Sequence, residues 1–286
     1  MLNNDEKIVS IGLPVYNGEK FLSQALNSLL SQTHKNFELI ISDNASLDST
    51  QRICEELVKK DKRISYIRQK ENIGVNENFK FVLQQAKGKY FMWASDDDVW
   101  DSQFIEECIK MFNIDKETIM VFSNFVKINE LGDITEAYTP EKFFPFEKNI
   151  YQRLKQYLLL SCRDGKANII YGLWVRKELI QVPIFSFPSW GSDMNFVFRA
   201  LSQGRFDLVN RMLFFKRVES CSSPKILFPL KVFTIFLHRV KILFSPYIYT
   251  YIVDIFHIKQ LSFTNKLKLF FYTFLIMGKL FLSRRI

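Results

Sequence analysis

Three aspartates in a row, Asp96, Asp97 and Asp98, follow the apolar run Tyr90 to Ala94 and lead into Val99 and Trp100. Adjacent carboxylates repel, so the arrangement is costly unless a cation compensates it. Carboxylate oxygens suit Mg2+ or Mn2+, which take one or two protein carboxylates and fill the rest of the shell with phosphate oxygens. The competing reading is a solvated loop ahead of a helix, with Asp101 as its cap. Further polar clusters tip the balance towards a ligand. Pro14, Tyr16 and Asn17 follow the first apolar run, Asp43, Asn44 and Ser46 follow the second, and Asn72 with Gly74 precedes a helical pattern. In an open parallel sheet, ligands bind at the carboxyl ends of the strands, where all of these residues fall.

The elements that would hold them are legible between residues 8 and 123. Short β-branched runs at Ile8 to Leu13, Phe37 to Ser42, Ile64 to Arg68, Tyr90 to Ala94 and Ile119 to Ser123 read as strands. Between them, apolar residues recur at helical spacing: Leu22, Ala25, Leu26 and Leu29, then Phe79, Val82, Leu83 and Ala86, then Phe104, Cys108, Met111 and Phe112. Asp48 or Ser49 caps the helix before the third strand. This alternation predicts an α/β fold with a mostly parallel sheet. Beyond Phe125 the rhythm changes to a hairpin around Glu130, a helix from Ile150 to Leu160, a strand from Asn168 to Arg176 and a helix from Asp193 to Ser202. A closing strand pair, Phe206 to Val209 and Arg211 to Val218, completes the reading.

Charge divides the chain unevenly. Residues 224–286 hold ten Lys or Arg against one acid, Asp254, so this tail carries the whole formal excess of +9, while the first 223 residues are balanced at 29 of each sign. The expected organisation is one domain over 1–223, divided near residue 124 where the rhythm changes, followed by an amphipathic helical tail over 224–286. Basic residues in the tail alternate with Leu, Ile and Phe, and its longest uncharged runs are too short to span a bilayer. Helices lying on an anionic membrane surface fit that pattern. Four dispersed cysteines form no zinc or disulfide pattern, and MLNNDEKIVS has no basic region followed by an apolar stretch. The expected location is therefore the cytoplasmic face of the cell membrane, with peripheral attachment.

The residues quoted so far also carry a family resemblance. Over residues 8–100, IVSIGLPVYNGEKFL, IISDNASLDST, ENIGVNENF and YFMWASDDDVW resemble, in order and spacing, the nucleotide-sugar half of the family-2 glycosyltransferases with the GT-A fold. The resemblance implies inverting transfer of a sugar from a UDP- or dTDP-linked donor. The acceptor would be a glycan or lipid-linked glycan in polysaccharide or lipopolysaccharide synthesis. It implies that Pro14, Tyr16 and Asn17 frame base and ribose, that Asp43 contacts the base, and that the aspartates bind ribose and metal. Asn44, Ser46, Asn72 and Gly74 join the candidate donor contacts. Aligning on Trp100 places Ser95 and Asp97 at the metal motif, whereas reading the triplet directly pairs Asp96 with Asp98, so Asp96, Asp97 and Asp98 all stay candidate metal ligands. Family relatives carry the base at a helix start, which corresponds here to Asp193 behind Trp190, Gly191 and Ser192; helix capping is the alternative role. Lys216 to Ser220 resembles the late Arg-x-His segment, with Arg217 a candidate phosphate contact or surface ion pair and Glu219 in place of the histidine as a candidate metal ligand.

Other functions fit the residues less well. A dinucleotide-dependent oxidoreductase needs G-x-G-x-x-G after the first strand, where this chain has Leu13 to Asn17. A sugar nucleotidyltransferase needs a glycine-rich basic loop in the same place. The remaining rival is a non-catalytic nucleotide-sugar- or RNA-binding protein using the basic tail. Alternation of tail basics with aliphatic side chains argues for lipid over nucleic acid.

Overall fold

The structure is a computed structural model and describes residues 9–115, 117–135, 146–160, 165–183, 192–218 and 246–282. It separates into two compact units, one within Met1–Pro145, Asn168–Ile184 and Gly204–Glu219, the other within Phe146–Ala167, Phe185–Gln203 and Ser220–Ile286.

The first unit begins with β1 (Val9–Val15), α1 (Leu22–Leu30), β2 (Phe37–Asp43), α2 (Thr50–Val58), β3 (Ile64–Arg68), α3 (Val75–Gln85) and β4 (Tyr90–Trp93). Every residue of β1 is buried, as expected of a strand covered on both faces. β3, β2, β1 and β4 lie side by side in parallel, with Val15 paired to Asp43 and Gly12 to Trp93. In-register parallel pairing brings the carboxyl ends of these strands, and the polar turns after them, to one edge.

After β4 come β5 (Val99–Trp100), α4 (Phe104–Ile114) and β6 (Thr118–Ile128), then β7 (Leu173–Val175) and β8 (Arg205–Arg217). The sheet order among the described residues is β3-β2-β1-β4-β7-β6-β8-β5, with β7 antiparallel to both neighbours. Aromatic rings fill the space where the parallel and mixed halves join: Trp93 meets Phe91 edge-on at 4.9 Å and Trp174 at 6.5 Å, and Trp174 meets Phe206 at 5.3 Å.

Two expected elements differ. The segment read as a strand from Asn168 to Arg176 is a 3-10 turn, Lys166–Tyr171, followed by the three-residue β7 and the short helix α5 (Arg176–Leu179). Its apolar content reflects burial, which short apolar runs cannot assign to strand or turn. The expected closing strand pair is one strand, β8. Asn210 and Arg211 looked like a turn, but β6 is long enough to pair on both sides of them, and the misfit is absorbed by register shifts at Ser123 and Asn124. The hairpin around Glu130 does form, with Ile128 bridging Ile134.

The second unit contains α6 (Ile150–Leu159), α7 (Ser192–Gln203), α8 (Pro246–His257) and α9 (Phe263–Leu282). Asn149 caps α6 by accepting from the N–H groups of Tyr151 and Gln152. Tyr157 donates its hydroxyl to the Met194 carbonyl at 2.9 Å, and the Arg153 Nε donates to Leu201 O at 2.7 Å, tying α6 to α7. No helix among the described residues is long and apolar enough to cross a membrane.

Candidate active site

The turn after β1 and the turn after β2 are locked together. The Asn17 N–H donates to Ser46 Oγ at 2.9 Å, and the Leu47 N–H donates to Asn17 Oδ1 at 2.9 Å. Asn17 and Ala45 both take left-handed backbone angles, φ 54° and 62°. A short polar side chain tolerates that region, whereas an alanine there is strained, as often found where a backbone is held for function.

Asp43 ends β2 with no exposed surface. Its Oδ1 accepts from the Ser46 N–H at 2.8 Å and its Oδ2 from the Tyr66 hydroxyl at 2.7 Å, with the Arg68 Nε 3.6 Å away. Burial, then the bond to Asp43, pushes the Tyr66 phenol well above its ordinary value and keeps it a donor. Asn44 and Asn72 form a second clasp: Asn44 Nδ2 donates to Asn72 Oδ1 at 2.9 Å, which also accepts from the Gly74 N–H. Gly74 opens α3 at φ 83°, a conformation that favours glycine.

A cleft of about 200 Å3 lies between these turns and α3, lined by Pro14, Val15, Tyr16, Asn44, Asn72, Val75, Asn78 and Phe79. Four of the expected residues line it. Asp43, Ser46, Asn17 and Gly74 build its walls from behind. Asn78 was missed by sequence reasoning: it is buried and clasps Ser42, accepting from Ser42 Oγ at 2.6 Å and donating to Ser42 O at 2.9 Å. A polar residue beside Phe79 on the buried side of the helix was the available signal.

At the end of β4 the three aspartates point to different partners. Asp98 is fully buried, its Oδ1 accepting from the Arg217 N–H at 2.9 Å and its Oδ2 from Lys216 Nζ at 3.0 Å. Burial raises its carboxyl despite the Lys216 ammonium. Asp97 is partly exposed, accepts from Ser95 Oγ and lies 3.9 Å from Lys216 Nζ. Asp96 packs so closely over Gly18 that any Cβ there would collide with its carboxylate. Burial and the neighbouring Asp97 push Asp96 up to about 6. It has no ion pair within 4 Å among the described residues, so its desolvated charge lacks direct compensation.

Arg217 is nearly fully buried. Its guanidinium donates to the carbonyls of Asp97, Asn129 and Glu130 and to Gln24 Oε1, and stacks over the Phe21 ring at 4.4 Å. Most of its five donors are therefore spent on fastening the aspartate turn to the hairpin and α1. Lys216, unmarked as a candidate in the sequence, is the residue whose side-chain cation reaches the carboxylates of Asp98 and Asp97. Asp193 lies in the first turn of α7, in the second unit, with Oδ1 accepting from the Met194 N–H at 2.8 Å. Burial raises its carboxyl above the usual range. Glu219, Trp190 and Gly191 lie outside the described residues.

The donor set at the β4 edge fits a divalent cation. Asp96 and Asp97 are carboxylates with accessible or uncompensated oxygens, and Mg2+ or Mn2+ requires only one or two such ligands when phosphate completes the shell. Asp98 is committed to Lys216 and Arg217. The described residues contain no cluster of three or more ligating side chains that would hold a metal unaided.

Comparison with known proteins agrees with this geometry. Residues 10–171 match the family described as Glycosyl transferase family 2. An uncharacterised glycosyltransferase of Rickettsia conorii is 32% identical over 148 residues, covering 51% of this chain and 24% of its own length. Glycosyltransferase GlyG of Streptococcus pneumoniae is 27% identical over 208 residues, covering 73% and 68%. Among solved structures, residues 1–349 of S. aureus TarS in complex with UDP share 18% identity at a TM-score of 0.67, covering 92% of this chain and 69% of that one. The mannosyltransferase PcManGT of Pyrobaculum calidifontis, in complex with GDP-Man and Mn2+, is 12% identical at a TM-score of 0.53, covering 95% and 74%. The chain spans 20% to 45% of the lengths of five Rickettsia relatives it matches. With a match over more than half its length and the strand-end site that match covers, the chain belongs to glycosyl transferase family 2 and has the GT-A fold.

Proposed function

We propose that this chain transfers a sugar, with inversion, from a pyrimidine nucleotide-sugar to a glycan or lipid-linked glycan acceptor of a cell-surface polysaccharide. The observation that carries the reading is the Asp96 carboxylate, desolvated and without an ion pair among the described residues, lying against Gly18 two residues from the cleft-lining Tyr16. The cleft is small beside the roughly 300–1,000 Å3 of sites that enclose a whole ligand, which suits one part of a donor, the base with its ribose. Pro14, Tyr16 and Asn72 line the place for that part, and Asp43 holds the loop behind it through Ser46 and Tyr66.

Asp96 and Asp97 would hold Mg2+ or Mn2+, which when bound supplies positive charge for the departing diphosphate. Lys216, anchored on Asp98, keeps a second positive charge beside the same turn. Asp193 serves as the base that takes the acceptor hydroxyl proton, and its raised affinity for protons improves it in that role. UDP is favoured because the TarS structures are in complex with UDP and UDP-GlcNAc, with GDP-Man in PcManGT as the competing case.

Donor hydrolysis and transfer measured over a panel of UDP-, dTDP- and GDP-sugars, with and without Mn2+, test the proposal. The expected result is metal-dependent turnover of a UDP- or dTDP-sugar. Asp96→Asn and Asp97→Asn should each lower it by about 100-fold or more, and Asp193→Asn should lower transfer by about 10²- to 10⁴-fold while leaving donor binding in place. Folded protein that neither binds nor turns over any donor with a divalent cation present would refute it.

A further inference from the structure

The two C-terminal helices are amphipathic twice over. On α8, one stripe faces inward: Tyr251 meets Phe198 edge-on at 5.0 Å, Ile255 is fully buried, and Asp254 accepts from Arg199 Nε at 2.8 Å. A second stripe of the same helix, Tyr249, Ile252, Val253 and Phe256, repeats at i, i+3, i+4 and i+7, with Tyr249 57% and Phe256 38% exposed. On α9, Leu269 and Thr273 are buried while Phe263, Leu267 and Phe271 repeat at i, i+4 and i+8, with Phe263 68% and Phe271 62% exposed. Phe256 meets Phe270 at 6.1 Å, and Phe270 meets Phe271 at 5.7 Å, so the outer stripes of the two helices run together.

Solvent-facing aromatics clustered in this way mark an interaction surface rather than chance exposure. Charge says what covers it. Asp254, the single acid of residues 246–282, is turned inward to Arg199. Lys259 and Lys268 are exposed beside the apolar stripes and have no ion-pair partner among the described residues. The rest of the basic excess of residues 224–286 adds to the same sign. A positively charged partner would be repelled and a neutral one would gain no attraction from these lysines, and α9, with Lys266 and Lys268 before Phe271 and Lys279 after it, is not apolar enough to span a bilayer. We propose that the outer face of α8 and α9 docks on the headgroup region of an anionic bilayer, with Phe263 and Phe271 inserting and Lys259 and Lys268 meeting lipid phosphates.

The test is flotation of the full chain with vesicles of phosphatidylcholine alone and of phosphatidylcholine with phosphatidylglycerol, at low and high salt. The protein should float with the anionic vesicles, at least tenfold less with the zwitterionic ones, and less at high salt. Lys259→Gln with Lys268→Gln should weaken partitioning by about 25-fold. Phe263→Ser with Phe271→Ser should weaken it by about tenfold or more. Because all four side chains face solvent, thermal unfolding of both double variants should match the parent, which separates lost docking from lost folding. Three results would overturn the proposal: no flotation of the parent chain on anionic vesicles, variants that float as well as the parent, or a lipid-free dimer in light scattering that the phenylalanine pair abolishes.

Discussion

Asp96, Asp97 and Asp98 are neighbours in the chain and meet three different electrostatic environments. Asp98 is a buried counter-ion, Asp97 a half-open carboxylate held by Ser95, and Asp96 a desolvated one pressed over Gly18. A pH signature follows from Asp96. Its carboxyl sits at about 6 in the folded chain against an ordinary 3.8, so the folded state binds its proton more tightly than the unfolded state does. The contribution of this group to stability is therefore complete below about pH 4 and is lost as pH rises towards 6, on the order of 2 to 3 kcal/mol. Urea unfolding of metal-free protein at steps from pH 4 to 7 should show this decline, and Asp96→Asn should flatten it. Parallel curves for the two proteins would show that Asp96 is not the source. The triplet itself was plain in the sequence, but its division of labour was not, because Lys216 and Arg217 are more than a hundred residues away.

The site exists because elements, not single residues, hold the turns in place. α3 packs on β1 at Gly12, where an added Cβ would lie 2.8 Å from both Phe91 Cζ and Val82 Cγ2, and is pinned to β2 by the Asn78 to Ser42 clasp. Gly12→Ala should cost about 1 to 3 kcal/mol through overpacking. Asn78→Ala should cost a similar 1 to 3 kcal/mol by leaving Ser42 groups unpaired in the interior. Both are measurable as lower urea midpoints at unchanged slope. Since Asn78 lines the cleft, its variant should also weaken nucleotide binding, whereas an unchanged midpoint would mean that water replaces the clasp. Parallel strands and amphipathic helices up to residue 123 were readable, since buried strands and one-sided helices impose distinct periods on the chain. Past that point the periods mislead. The turn at Lys166–Tyr171 is as apolar as a strand, and Asn210 with Arg211 carries turn residues inside the unbroken β8.

At the scale of the molecule, ligand binding and folding share one free energy. UDP with Mn2+ at a hundredfold excess over its dissociation constant should stabilise the chain by about 2.7 kcal/mol, raising the unfolding temperature by roughly 5 to 10 °C, with little effect from either component alone. A calorimetric scan showing equal shifts for UDP with and without the cation would remove the metal from the site. The amino-acid order by itself determined the strand-helix rhythm, the polar turns at the strand ends and the basic, aromatic C-terminus, because each is a local pattern written within a few residues. Only the tertiary structure decided that Asp98 belongs to Lys216, that Arg217 is a buried fastener and that Asn78 reaches the cleft. It also decided which aromatics of α8 and α9 face inward and which face water. Those outcomes depend on partners brought together from distant parts of the chain, and in a packed interior the partner, not the residue type, sets whether a charge is paired, buried or left open.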